Sequence, residues 1–258
     1  MTNAALSGPE LFGPLTEVAA CEERLMNCWP SHQVVIAGDW LCRFAKGYSG
    51  RANSACVIRP GPVLDQAGIA HIEGLYREAG LRPSFRLSPL VDAQVRARLE
   101  SEGYAPEDWS IGMIAPCQDR GMPETLQLDR TPSDAWLEGA CRWQSGAKRD
   151  VAALLGIVGN LRVPARFATL HHEGRSAAYA ILALDRGMVE IGSVMVDPAL
   201  RGKGLGRSLL NGALTWGIEA GATHLFLQVA SENAVAKSLY ASLGFRPVYT
   251  AAYWRKPA

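Results

Sequence analysis

The sequence predicts an α/β protein with a mixed sheet, laid out as two like units in tandem. Three observations predict it. Ile191 to Val196 is an apolar run ending at Asp197-Pro198, and a glycine-rich loop separates it from Leu205, Leu209, Leu210, Ala213, Leu214 and Ile218, which share one helix face. Displacing the chain by 141 residues (219 − 78) lays one segment on another without a gap. Glu78-Ala79-Gly80 falls on Glu219-Ala220-Gly221, Phe85 on Phe226, Asp92 on Asn233, Arg96 on Lys237, and Gly103-Tyr104 on Gly244-Phe245. Finally, 258 residues at 48% hydrophobic content supply core for two domains of ordinary size.

The elements follow in order. Asp39 to Ala45 and Ser54 to Ile58 read as two hairpin strands joined through Gly47-Tyr48-Ser49-Gly50, with Gly50-Arg51-Ala52-Asn53-Ser54 expected to be a solvated turn, against part of an acceptor or interdomain surface. Each copy of the repeat then runs helix, Gly, strand, helix, Gly, aromatic. Polar, proline-containing Gln118 to Glu124 marks the boundary between a first domain, 1–122, and a second, 123–258. Asp134 to Cys141 opens the helices of the second unit, and Leu225 to Val229 is the strand after the long helix. With Ser231 as N-cap, a final helix from Glu232 to Leu243 sets Ala236, Leu239, Tyr240 and Leu243 along its buried side.

Composition narrows the function classes. A formal charge of +1 gives no global field for nucleic acid or an anionic membrane, so any attraction for phosphate is local. Glu10 and Glu17 stand where a basic leader region would be, and the longest apolar or glycine run, Val151 to Gly159, cannot span a bilayer. A soluble, cytoplasmic protein is expected. The six cysteines include no C-x-x-C pair and are expected to be reduced; His171-His172 has no ligand partner at metal-site spacing, so no metal is expected.

The loop Arg201-Gly202-Lys203-Gly204-Leu205-Gly206, with Arg207 after it, carries the chemistry. A helix starting here exposes unpaired N–H groups and the positive end of its dipole, which suits a pyrophosphate. No Lys followed by Ser or Thr closes it, so it is not a P-loop; its glycines run G-x-G-x-G, so it is not a dinucleotide fingerprint. Alone, such a loop is an ordinary surface turn. Its company is V-M-V-D-P before it and Asn233, Ala236, Tyr240, Gly244 and Phe245 after it, and together with R-x-x-G-x-G these resemble the GNAT superfamily of acetyl-CoA-dependent N-acetyltransferases over roughly residues 124–258.

The resemblance implies that both units are GNAT-like, that residues 201–207 hold CoA phosphates, and that Val194, Met195 and Val196 line the pantetheine arm. It implies Asn233 as a further cofactor contact and a backbone N–H near Val194 for the thioester oxygen, provided the strand splays from Leu225 to Val229. Transfer to an amine also needs a base and an acid. Tyr240 is the candidate acid for the leaving thiolate, against a plain core tyrosine. Glu190 is the candidate base, against an exposed strand-end carboxylate, with His171, His172 and Asp185 as substitutes. Lys237 reads as solvated or on a phosphate, and Trp143 as packing or an acceptor floor.

In the first unit the cradle position reads Pro60-Gly61-Pro62-Val63-Leu64-Asp65, where two prolines remove donors and an aspartate repels phosphate. One acetyl-CoA per chain is expected. Three jobs are open to the first unit: shaping the acceptor site, holding the second unit, or forming a homodimer. The acceptor is a small-molecule or peptide amine that no motif specifies. A non-catalytic acyl-CoA sensor, or an enzyme for another acyl-CoA, are the competing readings.

Overall fold

The computed structural model describes residues 8–257; residues 1–7 of the expected first domain and Ala258 of the second lie outside the described residues. The first half runs α1 (Leu15–Cys28), β1 (Gln33–Ala37), β2 (Trp40–Phe44), β3 (Ala55–Cys56), α2 (Gln66–Glu78), β4 (Phe85–Leu87), α3 (Ala93–Ser101) and β5 (Ala105–Pro116). The second runs β6 (Leu126–Asp129), α4 (Asp134–Arg142), α5 (Val151–Gly159), β7 (Ala165–His172), β8 (Arg175–Asp185), β9 (Met188–Val196), α6 (Leu205–Glu219), β10 (His224–Ala230), α7 (Ala234–Ser242) and β11 (Arg246–Arg255). All strands join one mixed sheet in the order β1-β2-β3-β4-β11-β5-β10-β9-β8-β7-β6. Only β3–β4 and β9–β10 are parallel pairs.

The 141-residue repeat is visible in three dimensions. Both ends of α3 and α7 differ by it (93 to 234, 101 to 242). Asp92 and Asn233 cap these helices alike, accepting from Val95 N at 2.9 Å and Ala236 N at 3.0 Å. Gly80 and Gly221 have φ of 67° and 76°, Gly103 and Gly244 of 85° and 90°, so each pair turns the chain after a helix in the left-handed conformation that a Cβ disfavours.

The halves exchange their last strands. β11, at the end of the second half, pairs with β4 of the first. β5, at the end of the first half, pairs with β10 of the second from Pro116↔His224 to Ser110↔Ala230, and the two exchanged strands lie side by side. Their side chains follow them: Tyr249, Ala251 and Trp254 sit in the core of the first half, Met113 and Ala115 in that of the second. A third apolar cluster joins Trp29, Tyr48 and Ala52 to Trp136, Leu154, Ile157 and Tyr179, packing the first half's loop against α4 and α5.

Two expectations need correction, and the hairpin gains a further strand. The final helix starts at Ala234, not Glu232, because Asn233 rather than Ser231 supplies the capping oxygen. The β2–β3 hairpin exists, but β2 is also paired to β1, whose Val34 and Ile36 remain exposed. The segment 50–54 is not a solvated turn: it is a short 3-10 turn with Ala52, Asn53 and Ser54 buried, packed between the halves. All six cysteines are free thiols. Among the described residues no helix is long and apolar enough to cross a membrane.

Candidate active site

The parallel pairing of β9 with β10 runs from Met188↔His224 to Ile191↔Leu227 and then stops, although both strands continue. Past that point they diverge around a cleft of about 150 Å³ lined by Gly192, Ser193, Val194, Gln228, Asn233 and Tyr240. On its other side β9 carries a bulge: Ser193 and Val194 together oppose Ala180 of β8, between Gly192↔Ile181 and Met195↔Tyr179. Ser193 takes φ 50°, and a bulge leaves its extra residue off the ladder, so main-chain polar groups are freed where the cleft opens.

Glu190 lies one residue before the ladder ends and is fully buried. Alternation along β9 turns Val189 and Ile191 toward α6 and Glu190 toward the opposite face. Gly192, on that same face, leaves the carboxylate its room, since a Cβ there would stand 3.1 Å from Oε2. Arg51 Nη1 donates to Oε1 at 3.0 Å, and Oε2 has no partner. Desolvation pushes the carboxyl up to about 7 despite the guanidinium's opposing pull. The exposed-carboxylate reading of Glu190 is therefore excluded.

Arg51 comes from the first half, and buried polar groups fix its loop. Asn53 accepts from Ala45 N at 2.7 Å and Gly47 N at 3.0 Å and donates to Ser49 O at 2.8 Å. Buried Arg43 donates to Arg51 O at 2.6 Å and also to the Met26 and Trp29 carbonyls, tying the turn to the end of α1. The Arg51 guanidinium carbon stands 4.6 Å from the Trp29 ring centroid.

Tyr240 is buried on α7 with its ring 5.8 Å from that of Phe245, and desolvation pushes its phenol up to about 12. Its hydroxyl has no side-chain partner among the described residues. Asn233 spends Oδ1 on its cap, leaving Nδ2 to donate. Beyond the cleft, Met195 and Val196 lead to the cradle. Gly202 and Gly204 have φ of 82° and 78° with open space where a Cβ would be, and Gly204 is the N-cap of α6 with no side-chain cap. The first amides of α6, from Leu205, Gly206 and Arg207, are thus free of side-chain partners. At Gly206 a Cβ would stand 3.3 Å from Leu239. Arg201 and Lys203 are exposed, whereas Arg207 donates to Ser242 Oγ at 2.7 Å and Lys237 to Ser231 O.

The structure thus brings Val194, Asn233 and Tyr240 into one cleft with Glu190 beside it, and places Met195, Val196 and 201–207 along the path leading out. Sequence reasoning missed Ser193 and Gln228 and left Arg51 only within a stretch whose second reading was an acceptor or interdomain surface, because nothing local marks a turn or a bulge that meets its partners only through long-range contact. Trp143 packs on Tyr179 at 6.0 Å, so it is packing. His172 pairs with Glu173, and Asp185 accepts from Asn27 and Arg186. Neither histidine nor Asp185 lines the cleft. No group of three or more His, Cys, Asp or Glu among the described residues is placed to hold a metal ion.

A mixed sheet whose two central parallel strands part beside a glycine cradle defines an acetyltransferase of the GNAT class. Within it, the chain belongs to the family described as "Probable histone acetyltransferase Rv0428c C-terminal", whose model matches residues 16–254. The uncharacterized N-acetyltransferase YobR of Bacillus subtilis is 23% identical over 240 residues, 91% of this chain and 96% of YobR. A GCN5-related N-acetyltransferase from Kribbella flavida has a similar structure, with TM-score 0.69 at 18% identity over 96% of this chain and 97% of that one. A tandem GNAT protein from the clavulanic acid biosynthesis pathway gives TM-score 0.59 at 17% identity, over 78% and 74% of the two chains.

Proposed function

We propose that this chain moves the acetyl group of acetyl-CoA directly to a primary amine in a ternary complex, with Glu190 as base and Tyr240 as acid. The observation that carries the reading is the opening of the sheet one residue beyond Glu190, with Tyr240 in the wall of the same cleft. Bound there, acetyl-CoA supplies an activated acyl thioester. The amides of Leu205, Gly206 and Arg207, together with Arg201 and Lys203, would hold its phosphates around Gly202 and Gly204. The edge of β9 at Val194, Met195 and Val196 would hold the pantetheine arm, with Asn233 Nδ2 across from it.

Glu190 takes the proton of the acceptor's ammonium through a bound water, since its carboxylate is buried behind the cleft surface. A carboxyl with pKa near 7 is half-ionised at the pH where it must act. Tyr240 keeps its proton until the thiolate departs. The bulge at Ser193-Val194 offers a main-chain N–H for the carbonyl oxygen.

Residues 123–258 form the catalytic unit in this reading and 1–122 a degenerate one without CoA. A contrast between helix starts supports that division: Asp65 caps α2 by accepting from Gly68 N at 2.7 Å, while Gly204 leaves the amides of α6 free. Calorimetry should give one acetyl-CoA per chain, and two equivalent sites would overturn the division. Thiol release from acetyl-CoA with an amine panel tests the activity itself, and Tyr240→Phe should lower kcat about ten- to a thousandfold with acetyl-CoA affinity kept.

A further inference from the structure

A second cavity of about 410 Å³ adjoins the cleft and shares Arg51, Ser193, Gln228, Val229 and Ala230 with it. That volume suits one small molecule rather than a macromolecular surface. Both halves build it. Trp29 and Tyr48 contribute apolar walls from the first half, Trp109 comes from β5, and Tyr253 from β11.

Four charged side chains line the cavity, and their pairing is unequal. Arg51 is held by Glu190 at 3.0 Å, and Asp108 by Arg255 at 2.8 Å. Lys148, from the α4–α5 connection, has no carboxylate partner among the described residues. Glu232, from the turn before α7, has no cationic partner among them and accepts only from Ser231 Oγ at 3.4 Å. The cavity therefore offers, at exposed positions on its lining, one cation and one anion without an ion-pair partner among the described residues, beside aromatic walls. A polyamine would meet Arg51 and Lys148 as like charges, and an uncharged body would leave both charges unanswered.

We propose that the acceptor is a free amino acid with an aromatic side chain, its carboxylate on Lys148 and its ammonium entering past Glu232. This rests on the acetyl-transfer reading and narrows it. The aromatic body lies among Trp29, Trp109 and Tyr253, while the amino group faces the shared wall and the cleft. Peptide amino termini lack the adjacent carboxylate and give Lys148 nothing to bind.

The test compares kcat/KM for tryptophan and phenylalanine with tryptamine, 2-phenylethylamine, spermidine and a tetrapeptide. The amino acids should be preferred over the decarboxylated amines by about ten- to a hundredfold, the worth of one charge-assisted contact. Lys148→Met should bring that ratio close to one, and Lys148→Arg should keep most of it. Equal or better use of tryptamine, or an unchanged ratio in Lys148→Met, would overturn the inference. Turnover of spermidine or the tetrapeptide with tryptophan untouched overturns it too, but leaves acetyl transfer standing. If no amine releases thiol, calorimetric titration of tryptophan into CoA-saturated protein decides, and no heat of binding ends the proposal.

Discussion

At Glu190 two forces oppose each other: burial favours the protonated acid and Arg51 favours the carboxylate, with burial prevailing. As the proposed base, Glu190 should give kcat/KM an acidic limb with midpoint at about 7, and Glu190→Gln should abolish that limb. Removing the Arg51 charge leaves desolvation unopposed, so Arg51→Met should move the limb to higher pH. A pH profile of both variants checks this, and an unmoved limb in Arg51→Met would separate the pair from catalysis. The same group affects stability. A carboxyl raised from 4.5 to about 7 on folding stabilises the native state fully below the lower value, and that contribution is lost as pH rises through the upper one. Denaturant unfolding should therefore show Glu190→Gln flattening the fall in stability between those pH values. The place of Tyr240 on the inner side of its helix was legible from the helix period, whereas Glu190 was singled out through the resemblance, its strand-end place alone leaving it open to exposure. For Arg51 the sequence left a solvated turn and an interdomain surface both open, since a polar turn looks alike whether it meets water or another half of the molecule.

The N-terminus of α6 shows what an element contributes beyond its residues. Gly204 at φ 78° starts the helix without capping it, leaving its amides to a ligand. Gly204→Ala should cost about 1 kcal/mol or more, because an L side chain strains at that φ. It should weaken acetyl-CoA binding as well, and thermal unfolding with and without acetyl-CoA would separate the two effects. Strand β9 plays the complementary part, because its bulge and its early parting from β10 create the cleft. The glycine spacing and helix face made α6 readable as a helix starting in this loop, although Ile218, read on the same face, is exposed. By contrast, a bulge depends on the register of β8, which no stretch of β9 encodes. The start of α7 was misplaced for a smaller reason: Ser231 and Asn233 are both good capping residues, and only geometry selects between them.

Across the whole molecule, the duplicated plan was readable from the 141-residue repeat, whereas the exchange of strands was not. β5 and β11 are similar apolar strands, and their partners are set by global packing. The exchange makes the expected boundary at Gln118 to Glu124 a boundary of sequence more than of structure. Residues 123–258 produced alone should leave the edge of β10 unpaired and aggregate, and mixing with 1–122 during refolding should restore a soluble complex. Size-exclusion chromatography of the separate and mixed fragments would show this; a stable, monomeric 123–258 would contradict it. Trp254→Ala, in the last strand, should loosen the first half by about 3–5 kcal/mol, measured by equilibrium unfolding.

In the proposed reading the first copy holds no ligand, and a copy without a ligand is ordinarily free to decay or to be deleted. The exchanged strands remove that freedom. Without the first copy β10 loses one of its two neighbours, and Glu190 loses Arg51. Selection on the chemistry proposed for the second copy would therefore preserve the first.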